Sequence, residues 1–205
     1  MARRDDVYER RIPTGAVDTR ELVPYGAPLR GADAVLAARF LTGATLPLVL
    51  LYTSLPVYMI HQYEEHAHGR FVEFFNSTIG GRRRVLTKVS AFWINILGVW
   101  LLVLASFYLA RYVALGLAFV PVYLILVNAA THVLASVRLR TYNPGLYTSV
   151  VLFLPWGTFL AVYFSGIVRA SLLFNGIGLL LALAEHAAIA LYADSRRRKL
   201  GVGSG

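Results

Sequence analysis

The chain has 205 residues, 57% hydrophobic and only 15% charged, with no cysteine, a formal net charge of +9 and a mean hydropathy of +0.59. A soluble domain carries roughly a quarter charged residues, so this balance excludes an ordinary soluble enzyme, a disordered chain and a disulfide-stapled secreted domain. The lack of cysteine removes thiol catalysis, Cys-ligated zinc and Fe–S clusters, which leaves an all-α, polytopic membrane helix bundle.

Residues 1–33 read as a flexible leader, broken by Pro13, Gly15, Pro24, Gly26, Pro28 and Gly31 and lacking the apolar run of a cleavable signal peptide. A helix needs about 20 mainly apolar residues to cross the hydrocarbon core. Five runs meet that length within a membrane domain over 34–194: Val35 to Ile60, Ala91 to Ala110, Val113 to Val137, Leu146 to Val168 and Ala170 to Ala193. Pro47 and Pro56 should kink or loosen the first. Arg111 with Tyr112, and then Arg169, part the later spans by tight turns, and a basic tail over 195–205 closes the chain.

Residues 1–32 carry six Arg against five acids, so most of the positive excess lies in and beside the apolar part. That pattern points to anionic lipid head groups as partners, and no nucleic-acid motif accompanies it. Five spans put the termini on opposite sides. Arg70, Arg82, Arg83, Arg84, Lys88, Arg138, Arg140 and the Arg196–Lys199 run share one side, against Arg30, Arg39, Arg111 and Arg169. The positive-inside rule then places the C-terminus in the cytoplasm and the N-terminus outside, with the plasma membrane as the expected location.

Ionisable residues inside spans are costly and mark function. Here they crowd into one leaflet: His61, Glu64, Glu65 and His68 end span one, Asn128 and His132 lie toward the end of span three, and Glu185 and His186 toward the end of span five. Asn95 and Thr148 start spans two and four on the same side, while Asn175 falls in the other half. At 1.5 Å per residue, Glu185 lies ~12 Å and His132 ~8 Å inside their span ends.

On one helix, His61, Glu64, Glu65 and His68 would fall within an arc of ~100°. Imidazoles with carboxylates at i,i+3 and i,i+4 suit a divalent cation, zinc or iron. The expected ligands are His61, Glu65, His68 and His132; Glu64, Glu65, Asn128, Asn143 and Glu185 are the candidate catalytic groups. Asn128 is i,i+4 from His132 and so faces the same way. Tyr142-Asn143-Pro144-Gly145 reads as a turn that caps the polar cavity, Pro144 and Gly145 serving only as connector. His66 and His186 read as interface anchors.

His61-Gln62-Tyr63-Glu64-Glu65, followed by Gly69-Arg70-Phe71 and Asn76, then Asn128-Ala-Ala-Thr-His132, then Tyr142-Asn143-Pro144-Gly145, resembles in order the motifs of the HXXEE-domain membrane proteins. The resemblance implies an integral membrane protein whose motifs form a metal or acid–base site, and it names no substrate. Glu185, His66 and His68 lie outside those motifs.

Three functions compete. One is a membrane metalloenzyme acting on a lipid-soluble substrate, a lipid or isoprenoid. Another is a metal-free acid–base isomerase or cyclase working on an isoprenoid or sterol-like alkene. The last is a transporter or metal-handling protein. Five spans are few for transport and no inverted repeat is evident, although oligomers would supply what one chain lacks.

Overall fold

The computed structural model describes residues 43–201. The 1–33 leader, the start of the first expected span from Val35 to Thr42, and residues 202–205 lie outside the described residues. Every regular element among the described residues is helical.

The first expected span is carried by α1 (Leu46–Tyr52) and α2 (Ser54–His66). The break falls at Thr53, because Pro56 has no N–H to give the Tyr52 carbonyl. Thr53 turns its hydroxyl back to the Leu50 carbonyl at 2.6 Å. The helix then runs past Ile60, so the whole His61–Glu65 motif is helical.

It stops at His66. His68 (φ 60°) and Gly69 (φ 75°) are both left-handed and reverse the chain into α3 (Arg70–Thr78), a helix within what reads from sequence as a loop. Asn76 fastens the connection that follows. Its Nδ2 donates to the Leu86 carbonyl at 2.8 Å and its Oδ1 accepts from the Leu86 N–H at 2.9 Å, holding Val85 and Leu86 in the core.

Four longer helices are apolar and long enough to cross a membrane: α4 (Lys88–Tyr112), α5 (Leu115–Leu139), α6 (Leu146–Ile167) and α7 (Ser171–Lys199). Thr87 and Ser90 form a capping box that starts α4, with reciprocal bonds of 3.0 and 2.8 Å. At 1.5 Å per residue α7 is about 44 Å long, more than the hydrocarbon core. The basic Arg196–Lys199 run therefore continues the helix beyond lipid tails.

Half of the apolar window of α5 is buried against 11% of that of α7, so α5 is the central helix. Tyr58, Val99, Leu124, Ile125, Phe153 and Ala182 join α2, α4, α5, α6 and α7 in one core. Leu172, Val151 and Val162 are exposed, as residues facing lipid are. In the half of the bundle away from the site, Tyr123 donates to Asn175 Oδ1 at 2.8 Å, which ties α5 to α7.

Two helices widen locally into π turns, Ile94–Trp100 in α4 and Ser149–Phe153 in α6. Both lie beside the polar cluster described next. A π turn leaves backbone carbonyls without their usual partner and re-aims side chains, which is why it recurs at functional sites.

Candidate metal centre

Three residues from two helices converge. His61 and Glu65 lie one turn apart on α2, and His132 projects from α5. One ligand-type atom from each lies within 4.8 Å of the other two, and all three residues are buried. His61 Nε2 is 3.8 Å from Glu65 Oε2, and His132 Nε2 is 3.7 Å from Glu65 Oε1. Both separations are too long for a hydrogen bond.

The hydrogen-bond network fixes where the imidazole protons are. Thr148 gives its hydroxyl proton to Glu64 Oε2 at 2.5 Å, so toward His61 Nδ1, 2.8 Å away, it is an acceptor. His61 therefore carries its proton on Nδ1 and a lone pair on Nε2. Asn143 uses both amide protons, on the His132 carbonyl and Ser136 Oγ, each at 2.8 Å. Its Oδ1 then accepts from His132 Nδ1 at 2.6 Å, and His132 too is left with a lone pair on Nε2. Two bare nitrogens thus face one carboxylate. A ring nitrogen oriented by a hydrogen bond on its other side is the usual support of a metal-ligating histidine.

A third imidazole follows the same logic. Trp100 can only donate, and does so to Gln62 Oε1 at 2.6 Å. Gln62 Nε2 donates to Asn95 Oδ1 at 3.0 Å, which leaves Asn95 Nδ2 to donate to His66 Nε2 at 2.8 Å. That nitrogen is also 3.3 Å from Glu65 Oε2. Protonating it to reach Glu65 would break its bond from Asn95. His66 therefore pairs with the Glu65 side chain, 9% exposed, only as an imidazolium.

Aromatic rings wall the cluster. Phe153 stacks on His61 with centroids 4.1 Å apart, and Phe71 meets His66 at 5.5 Å and His132 at 6.4 Å. Gly145 closes the remaining side. Its φ is +100°, and a Cβ there would sit 2.6 Å from His132 Cε1 and 2.9 Å from His61 Cε1.

Glu64 does something else. Its carboxylate accepts from the Tyr147 and Thr148 N–H groups at 3.1 and 2.7 Å, from Thr148 Oγ1, and from the Tyr142 hydroxyl at 2.8 Å. It caps the N-terminus of α6, where unpaired N–H groups and the helix dipole favour an anion. Burial and then the Glu64 hydrogen bond push the Tyr142 hydroxyl up to about 12. Tyr142 stays a donor across neutral pH, and what its bond contributes to stability is present below the usual phenol value and lost only as pH rises through about 12. Replacing Glu64 by Gln puts an amide N–H against these donors; we expect it to cost about 2–3 kcal/mol, read as lowered thermal stability in detergent.

The other expected site residues separate. His68 does not join the cluster: the helix ends before it, so the pitch that would align it with His61 no longer applies, and it is exposed. Asn128 does not orient His132, a task that falls to Asn143, and Asn128 Oδ1 is buried with no hydrogen-bond partner among the described residues. Glu185 makes no bond to the cluster; its Oε2 lies 3.0 Å from His186 Nδ1. Sequence alone gives His66 and Gly145 no role in the cluster. The signal for His66 is Asn95, on the next span at a depth that meets it. Gly145 carries no signal beyond its motif.

A family model described as "protein of unknown function with HXXEE motif" matches residues 52–160, a stretch that includes His61, Glu65, His132, Asn143 and Gly145. No curated protein and no solved structure matches the chain. The chain belongs to the HXXEE family.

Proposed function

We propose that this HXXEE-family membrane protein is a metal-dependent enzyme acting on a lipid-soluble substrate, a lipid or isoprenoid, in the cytoplasmic leaflet. One observation carries the reading. His61 Nε2 and His132 Nε2 both present lone pairs to the Glu65 carboxylate, with nothing between them to share. A single proton could relieve only one of these contacts. A divalent cation relieves both at once, and two imidazoles with a carboxylate are a fitting donor set for zinc or iron.

His61, Glu65 and His132 would hold the ion, with Thr148 and Asn143 orienting the two rings. Bound there, the cation supplies a Lewis acid and activates water near neutral pH. Phe71 and Phe153 exclude bulk water from the rings, which strengthens every electrostatic interaction inside. An apolar cleft of about 640 Å³ between the ends of α5 and α6, lined by Val137, Val150 and Val151 with Tyr142 at its edge, supports approach from the lipid. The cluster itself does not line that cleft; Ser136 and Asn143 stand between them.

The positive residues on the site's side of the bundle favour a cytoplasmic C-terminus in the plasma membrane. Detergent-purified protein is expected to hold about one zinc or iron ion per chain by elemental analysis, and His61→Ala and His132→Ala each to lose it. Metal-free protein from cells supplied with both metals, unresponsive to added zinc or iron, would end this reading.

A further inference from the structure

The cleft between the ends of α5 and α6 has apolar walls and a mouth of one chemical kind. Val133, Ser136 and Val137 share one face of α5, and Tyr147, Val150 and Val151 share one face of α6, at the i, i+3, i+4 spacing of a helix. At the mouth stand Arg140, Thr141 and the rings of Tyr142 and Tyr147, whose centroids are 5.1 Å apart. No acidic residue lines the cleft among the described residues. Glu64, which Tyr142 reaches, is outside the lining and already accepts from four donors.

Arg140 is out of keeping with its backbone. It ends α5 in the left-handed region, at φ 50°, where helices commonly carry glycine. Its side chain is exposed, and its guanidinium makes no ion pair or hydrogen bond among the described residues. An arginine kept at a strained position and left unpaired by its own chain is open to a partner from outside. The other open groups beside it can donate as well. Ser136 Oγ accepts from Asn143 at 2.8 Å, and its own proton, like those of the Thr141 and Tyr147 hydroxyls, goes to no acceptor among the described residues.

An occupant must therefore bring hydrocarbon for about 10 Å, the rise from Val133 to Arg140, and negative acceptor atoms at the helix end. The volume, about 640 Å³, is that of a small-molecule site. An ammonium head would be repelled by Arg140, and an alcohol would leave its charge unpaired. The oxygens of a phosphate can take a bidentate guanidinium and a hydroxyl at once.

We propose that this cleft binds a membrane lipid with a phosphate head group, which pairs with Arg140 while its chain lies against Val133, Val137, Val150 and Val151. Two hydrogen bonds join the cleft to the metal centre: Asn143 donates to Ser136 Oγ and accepts from His132 Nδ1 at 2.6 Å. That the bound lipid is the substrate rests on the metal-centre reading; its binding needs only Arg140 and the apolar walls.

The test uses the full chain in detergent and hexadecyl phosphate carrying a photoactivatable diazirine in its chain, with labelled residues located by peptide mass spectrometry. Label is expected within residues 133–137 and 146–151. Unlabelled hexadecyl phosphate should compete at least about tenfold better than hexadecanol, the scale of one charge-assisted hydrogen bond, and inorganic phosphate should not compete. Arg140→Gly suits the left-handed backbone, so it should unfold no earlier than the wild type and yet lose the preference. Arg138→Gln, at an exposed position on the same helix end outside the lining, should keep it. Val150→Trp fills the cleft without touching the charge and should remove the label, which serves even if Arg140→Gly folds poorly. Label spread evenly over the lipid-facing helices, label that survives Val150→Trp, equal competition by phosphate and alcohol, displacement by inorganic phosphate, or a preference that survives Arg140→Gly or is lost in Arg138→Gln would overturn the proposal. Elemental analysis of the same sample separates the two readings. The expected label in a protein that takes up no zinc or iron sinks the metal centre alone, and bound metal with scattered label sinks this proposal alone.

Discussion

Glu65→Gln should make the metal-free protein more resistant to heat and cost it its cation. The carboxylate is buried between two imidazole nitrogens that bear lone pairs, 3.8 and 3.7 Å away, with a third imidazole at 3.3 Å. Without a cation, the His61 and His132 lone pairs face the carboxylate in a low-dielectric pocket and, among the described residues, only His66, at ion-pair distance, offsets part of the cost of the buried charge. Gln keeps the shape, removes the charge and brings an N–H₂ group that can donate to His61 Nε2 or His132 Nε2. The metal-free variant should gain about 1–2 kcal/mol, seen as a higher midpoint in detergent thermal unfolding. Added zinc should raise the midpoint of the wild type and barely move that of the variant, whose affinity falls by at least about a hundredfold. A metal-free variant less stable than the wild type, with undiminished response to zinc, would show that Glu65 is a structural anion held by something else.

Gly145→Ala is expected to damage both fold and site. Gly145 ends the hairpin turn at φ +100°, a conformation that an L side chain adopts only under strain. The added methyl would also press on the His132 and His61 rings together, and neither can retreat. His61 is stacked on Phe153 and held by Thr148, and His132 is locked to Asn143. Backbone strain and overpacking together should cost about 3–5 kcal/mol. Whatever protein folds should hold no stoichiometric zinc or iron. Thermal unfolding and elemental analysis of the same preparation check both halves, and a variant with wild-type midpoint and metal content would contradict the described packing of the rings.

Much of the bundle is legible in the sequence, because lipid imposes one strong condition: about 20 apolar residues per crossing. The helices overrun the apolar segments at their ends. Lys88, Arg138 and Lys199 are all helical, since helix geometry does not stop where hydrocarbon does. The short helix Arg70–Thr78 escapes a reading based on span length alone.

In the site, the convergence of His61, Glu65 and His132 follows from helix pitch and the cost of intramembrane charge. The residues that lie apart do so because helix pitch reaches neither past a helix end nor across to another element. His68 lies past the helix end at His66, in the left-handed pair it forms with Gly69. Asn128 has the right spacing on its own helix, yet the partner of His132 comes from the hairpin beyond, at Asn143, a tertiary contact that periodicity does not encode. Adjacent carboxylates also divide their labour: on a helix they point ~100° apart, so Glu65 faces the imidazoles while Glu64 caps α6.

X-ray absorption spectroscopy of the zinc-loaded protein most directly tests whether these side chains form one metal centre. The account predicts a nitrogen and oxygen first shell with the multiple scattering of two imidazoles, falling to one in His132→Ala. A zinc spectrum with no imidazole scattering, or one that is identical in the wild type and in His132→Ala, would contradict it.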